Sequence, residues 1–198
     1  GLCPIPSESV VFDRKSTRMN DRAVHPNTKA ILDAWRRLSS DADNAIEDPK
    51  VADFPNVLGS LFVIKRADDG IWPFTNAGKK MVDVLGRELI DQDFLKLWRG
   101  RDIDLVSAQL NAIRFGSAPG IIRGRGETLS GQRLEIEIAL APLKKRGQTG
   151  DRLLGLYQML GGENMLEGRP VWRHAVSAVY PPETPIKEPY LRLVASNE

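Results

Sequence analysis

Apolar residues fall at two different periods along this chain, and the periods change in order. Ile31, Ala34, Trp35 and Leu38 stand at i, i+3, i+4 and i+7, which predicts an amphipathic helix over 27–39 with Asn27 as its N-cap. Lys29, Asp33, Arg36 and Arg37 occupy the opposite side. A second stripe, Ile103, Val106, Leu110 and Ile113, predicts a helix over 102–115 ended by Gly116, with Asp102 and Asp104 as favourable charges in its first turn. Between the two, Met81, Val84 and Leu85 make a short helical turn broken by Gly86, and Phe94, Leu95, Leu97 and Trp98 make another.

The strand signals lie around and after these helices. Leu61–Ile64 reads as a strand, Ala67–Gly70 as a hairpin turn containing Asp-Gly, and Ile71–Phe74 as the returning strand. Pro73 cannot donate to a ladder, so that strand belongs at an edge. Ile121–Thr128 is followed by a two-residue turn at Ser130-Gly131. Leu134, Ile136, Ile138 and Leu140 then alternate with Glu135, Glu137 and Ala139, the pattern of a strand with one buried and one wet face. The polar loop 144–151 leads to a last strand over 153–160. The expected fold is therefore α+β: a five-stranded antiparallel sheet with helices on one face and an amphipathic helix leading it. Residues 1–24 read as a flexible arm and 25–160 as the domain. Residues 161–198 read as an irregular extension, proline-rich over 180–185, with Trp172 and Tyr190 available to pin it.

Composition narrows the function classes. Net charge is +2, from 28 basic and 26 acidic residues, which gives no global pull toward nucleic acid or anionic lipid. The single cysteine, Cys3, allows neither an internal disulfide nor a cysteine-built metal cluster, and a reducing compartment is the natural setting. No secretory leader is read at the N-terminus, and no apolar run approaches the roughly 20 residues of a membrane span.

Candidate chemistry is sparse. His25 and His174 lie in the flanking segments without ligand spacing to a partner, and read as solvated. No Gly-x-Ser-x-Gly elbow accompanies them. Gly124-Arg125-Gly126 lacks phosphate-loop spacing and reads as a twist or bulge in a strand. Arg123, Arg125 and Arg133 read as lying across their hairpin from one another, which leaves two readings open: a basic patch for an acidic partner or nucleotide, or a solvated face paired with Glu127, Glu135 and Glu137.

The stretch 74–98 carries a family resemblance. Phe74-x-x-Ala77-Gly78, then Leu85-Gly86-Arg87-Glu88-Leu89, then Phe94-x-x-Leu97-Trp98, resembles the short single-domain PAS proteins of alphaproteobacteria, and the likeness runs from about Ala34 to Leu160. The resemblance implies a cytoplasmic, non-catalytic sensory or regulatory protein that signals through protein–protein contact, with a sensor kinase among the expected partners. It also implies a pocket between helices and sheet, for which Phe74, Met81, Leu85, Phe94, Trp98, Leu110 and Ile138 are the candidate walls. Haem-binding members use a histidine on the helix matching 102–115, and covalent flavin photosensors a cysteine on the short helices. This chain has neither there, so a small apolar ligand is the expectation and those two cofactors are disfavoured. The leading helix often joins two copies, making Ile31, Ala34, Trp35 and Leu38 the candidate seam of a homodimer. The alternatives are a small-ligand carrier or enzyme using the pocket, and a nucleic-acid binder using the arginine hairpin.

Overall fold

The computed structural model describes residues 24–40, 57–143 and 150–183. The arm 1–23, most of the loop 144–151 and the end of the tail, with Tyr190, lie outside the described residues. Among those described, six strands form one antiparallel sheet in the order β2-β1-β5-β4-β3-β6. The strands are β1 (Leu61–Lys65), β2 (Phe74–Ala77), β3 (Gly120–Thr128), β4 (Arg133–Leu143), β5 (Arg152–Met159) and β6 (Val171–Tyr180). The helices are α1 (Pro26–Ser40), α2 (Lys79–Leu85) and α3 (Arg101–Gly116), with a short 3-10 turn at Phe94–Leu97.

Alternation along the strands divides the molecule in two. Phe62, Ile64, Ile122, Leu134, Ile136, Ile138, Leu140, Leu153 and Tyr157 point to one face, where they meet α2, the 94–97 turn and α3 in the main core. The intervening residues Ile121, Ala139 and Leu156 point to the other face, where Ile31, Leu32 and Ala34 of α1 cover them. The period of 2.0 in a strand makes this two-sidedness automatic. Gly86 takes a left-handed conformation (φ 62°) and ends α2, so the chain turns back there as the sequence predicts.

Five sequence expectations are corrected. The sixth strand, β6, lies in what reads as an irregular extension and pairs with β3 from Ile121↔Tyr180 to Thr128↔Val171. Its run of Val, Trp and Tyr is a strand signal, overshadowed by the prolines after it. The returning strand of the first hairpin starts at Phe74, not Ile71; Trp72 instead donates its backbone N–H to Asp93 Oδ1 at 3.0 Å. The β3–β4 turn has three residues between Thr128 and Gln132, with Gly131 at φ 89°. Asn27 does not cap α1: its backbone N–H donates to His25 Nδ1 at 3.1 Å, and its side chain reaches Gln158 Oε1 at 2.9 Å. Pro26 takes the first helical position, where a missing N–H is harmless. Within α3, Ile103 is exposed, whereas Val106, Leu110 and Ile113 are buried.

Candidate functional site

The interior between helices and sheet is packed with rings. Phe62 from β1 stacks on Phe94 with centroids 5.6 Å apart, and Phe74 meets both edge-on at 5.5 and 5.8 Å. Phe94 continues to Trp98 at 6.2 Å, and Trp98 to His174 of β6 at 5.4 Å. Such offset and edge-on pairs are the arrangements aromatic quadrupoles prefer. Three glycines make the room. A Cβ on Gly155 would fall 2.0 Å from the Phe62 ring, so this ring lies directly over the β5 backbone. On β3, a Cβ at Gly124 would crowd Trp98 at 3.3 Å and one at Gly126 would crowd Val171 at 2.7 Å. Gly124 also adjoins a register shift against β6, so the bulge reading of Gly124-Arg125-Gly126 holds and close packing is its reason.

One polar group sits inside this ring cluster. His174 is 2% exposed and Tyr157 1%, and the Tyr157 hydroxyl lies 2.8 Å from His174 Nε2. The other ring nitrogen, Nδ1, lies 3.3 Å from the Leu97 carbonyl oxygen. A carbonyl only accepts, so Nδ1 carries the proton and Nε2 accepts from the Tyr157 hydroxyl. Burial pushes the His174 ring down to about pKa 4 and holds it neutral, against the opposing pull of the Leu97 carbonyl. Burial likewise pushes the Tyr157 hydroxyl well above its ordinary value. Beside them, Trp98 Nε1 is buried without a hydrogen-bond partner among the described residues. The solvated reading of His174 is therefore overturned: a histidine in a strand inherits that strand's inner face. His25 is half-buried rather than solvated, with its backbone N–H donating to Glu137 Oε1 at 3.0 Å.

The seven pocket candidates, Phe74, Met81, Leu85, Phe94, Trp98, Leu110 and Ile138, are brought together in this one buried cluster. Sequence reasoning missed three side chains that meet these rings, Phe62, Tyr157 and His174. The alternate glycines of β3 were the available signal, because inner-face positions without side chains imply a bulky neighbour. A cleft of about 360 Å3 lies beside β1 and β2, lined by Leu58, Leu61, Val63, Asn76, Ala77, Gly78 and Leu154 and by Phe62 of the ring cluster, but by none of the seven.

The outer-face candidates are also placed. Ile31 and Ala34 are buried against the chain's own sheet; Trp35 is half-buried and its Nε1 donates to the Pro142 carbonyl at 2.8 Å, and Leu38 is half-buried. Arg123, Arg125 and Arg133 do not face one another. Their cross-strand partners are Glu137, Glu135 and Glu127. Arg123 pairs with Glu137 Oε2 at 2.7 Å, and Glu127 is held by Arg173 at 3.1 Å. An antiparallel register that alternates opposite charges favours this pairing over a basic patch. Among the described residues no group of His, Cys, Asp and Glu is arranged to hold a metal ion, and no helix is long and apolar enough to cross a membrane.

A family model described as PAS domain matches residues 23–158, more than half of the chain. Solved structures similar to this one include three LOV proteins. The Rhodobacter sphaeroides LOV protein is 17% identical with a TM-score of 0.43, and the match covers 54% of this chain and 62%, less than two thirds, of that one. The dark structure of the blue-light photoreceptor Aureochrome1 LOV is 18% identical with a TM-score of 0.42, covering 63% and 93%. A fungal LOV domain photoreceptor is 16% identical with a TM-score of 0.43, covering 66% and 91%. A search of curated proteins found no match.

Proposed function

This chain belongs to the PAS domain family, and from that premise we propose that it is a non-catalytic sensory or regulatory module whose output passes to another protein. The observation that carries the reading is the sealed interior. The Tyr157–His174 pair is closed off from solvent and bonded to itself, an arrangement suited to holding a shape rather than to meeting a substrate. The output is a change in affinity for a partner, with a sensor kinase the expected class, a homodimer the expected assembly and the cytoplasm the expected setting. A shift in α1 or in the 76–98 wall would set that affinity, since a ligand or signal acts by favouring one of two conformations.

A second reading rests on the cleft beside β1 and β2. Its apolar walls and the Asn76 amide suit a small apolar ligand with one polar group. Native mass spectrometry of freshly purified protein tests both. The sensory reading expects a species of twice the chain mass at micromolar concentration. A bound mass that Leu154→Trp removes, the new ring filling the cleft, supports the second reading. A ligand-free monomer overturns the homodimer and the carrier together.

A further inference from the structure

The start of β6 carries side chains that the packed interior does not account for. Glu127 pairs with Arg173 and Thr128 with Val171, so Trp172 between them is an extra residue without a partner on β3. A bulge of that kind re-aims a side chain. Trp172 is half-buried and stands outside the main core. The bridge between Trp98 and His174 brings the turn before α3 alongside β6. There the Arg99 guanidinium lies 3.9 Å over the centre of the Trp172 ring, and the Arg173 guanidinium lies 5.5 Å from it.

Stacking fixes where Arg99 stands and leaves its donors free, because a guanidinium donates in its own plane and not through its face. Arg99 is exposed and has no carboxylate partner among the described residues, whereas Lys29, Lys79 and Arg123 each hold one. Arg101, the first residue of α3, is likewise exposed and unpaired among the described residues. It stands at the positive end of a helix dipole, where a cation opposes the helix. A local rule broken without a compensating contact is a mark of function. Asp102 does not neutralise this group of cations, because its Oδ2 takes the Val176 N–H at 2.9 Å. The exposed Asp104 makes no ion pair with Arg101. Arg173 reaches Glu127 through Nε and Nη2, which leaves Nη1 to donate elsewhere.

We propose that Arg99, Arg101, Trp172 and Arg173 form a docking surface for an acidic segment of a partner protein, its carboxylates meeting the guanidinium forks. Planar forks take a carboxylate through two parallel bonds. These cations are too few for nucleic acid, whose binders neutralise about 6–10 phosphates. The free edge of β6 is itself engaged by the Trp98 bridge and by Asp102, so the partner meets side chains and adds no strand there. Trp172 and Arg173 lie beyond the stretch matched to the PAS family, so half of the surface is this chain's own addition. The surface deepens the regulatory reading, on which it rests for its purpose, by naming where the output is read.

Fluorescence anisotropy of labelled octaglutamate with the full chain is the experiment. The wild type is expected to bind it, less tightly as salt rises. Arg99→Glu with Arg101→Glu should weaken binding at least roughly tenfold, from the lost charged hydrogen bonds. Lys65→Glu with Arg66→Glu, the same charge change at the far side of the sheet, should leave it within about twofold. Trp172→Leu keeps every charge but removes the support of Arg99, and should weaken binding about threefold. Should W172L fail to fold, Arg99→Lys gives the corresponding reading, since an ammonium neither stacks nor forks as a guanidinium does. An octaglutamate that does not bind, one that both charge reversals weaken alike, or one that W172L binds as the wild type does, overturns the surface. An oligothymidylate of equal charge that binds as tightly overturns the acidic-segment assignment. No signal or kinase enters the measurement, so absent binding sinks the surface and leaves the sensory module standing. Binding here in a chain that proves to be an enzyme sinks the module and leaves the surface.

Discussion

His174 shows how a single residue takes its chemistry from its position. On a strand it points inward, and the inside of this molecule holds it neutral. Its pKa near 4 lies below the 6.5 of a free imidazole, so the unfolded chain binds the extra proton first as pH falls. Stability is thus full above about pH 6.5 and declines toward pH 4, by roughly 3 kcal/mol from this group alone. Urea unfolding at stepped pH checks it: His174→Gln should flatten the slope between pH 4 and 6.5, and an unchanged slope would place the acid sensitivity elsewhere. Trp98 is the second residue of consequence. It is 1% exposed and touches both Phe94 and His174, so Trp98→Ala should cost about 3–5 kcal/mol, read as a lowered melting temperature.

At the scale of elements, β6 is integral to the domain. It supplies His174, pairs with most of β3, and receives the Asp102 side chain of α3 at the Val176 N–H, 2.9 Å away. The Gln109 amide of α3 also reaches the Tyr180 carbonyl at 2.9 Å. A chain cut after residue 170 should therefore lose its cooperative thermal transition, while one cut after residue 183 should melt as a folded domain. Circular dichroism melts of the two decide it; a cooperative melt of the shorter chain would make β6 an accessory strand. The cause expected for failure is specific: without β6, the inner faces of Gly124 and Gly126 leave Trp98 facing water.

The whole molecule is a sheet with unequal contents on its two faces. Among the described residues, the large aromatic core holds one face and helix α1 covers part of the other. Assembly belongs to this scale. If a second copy uses α1 and the outer face, Trp35→Glu should sediment as a folded monomer where the wild type sediments as a dimer. A wild type that is monomeric at micromolar concentration would leave Trp35 to its own sheet, where its indole already donates to Pro142.

What the sequence determined by itself was whatever depends on neighbours in the chain. The periods of α1 and α3, the alternation of Leu134 to Leu140 and the break at Gly86 are local physics, and each element formed within a few residues of its expected bounds. The apolar positions from Phe74 to Trp98 were legible as buried for the same reason, and the structure packs them into the main core. Only the tertiary structure decided which distant strands adjoin. Arg123 meets Glu137 rather than another arginine because of the β3–β4 register. His174 is buried because β6 returns to pair with β3 across some fifty residues of chain, and that pairing puts Gly124 and Gly126 beneath Trp98 and His174. A residue's period tells which face it takes, but what waits on that face is set by contacts that no local pattern encodes.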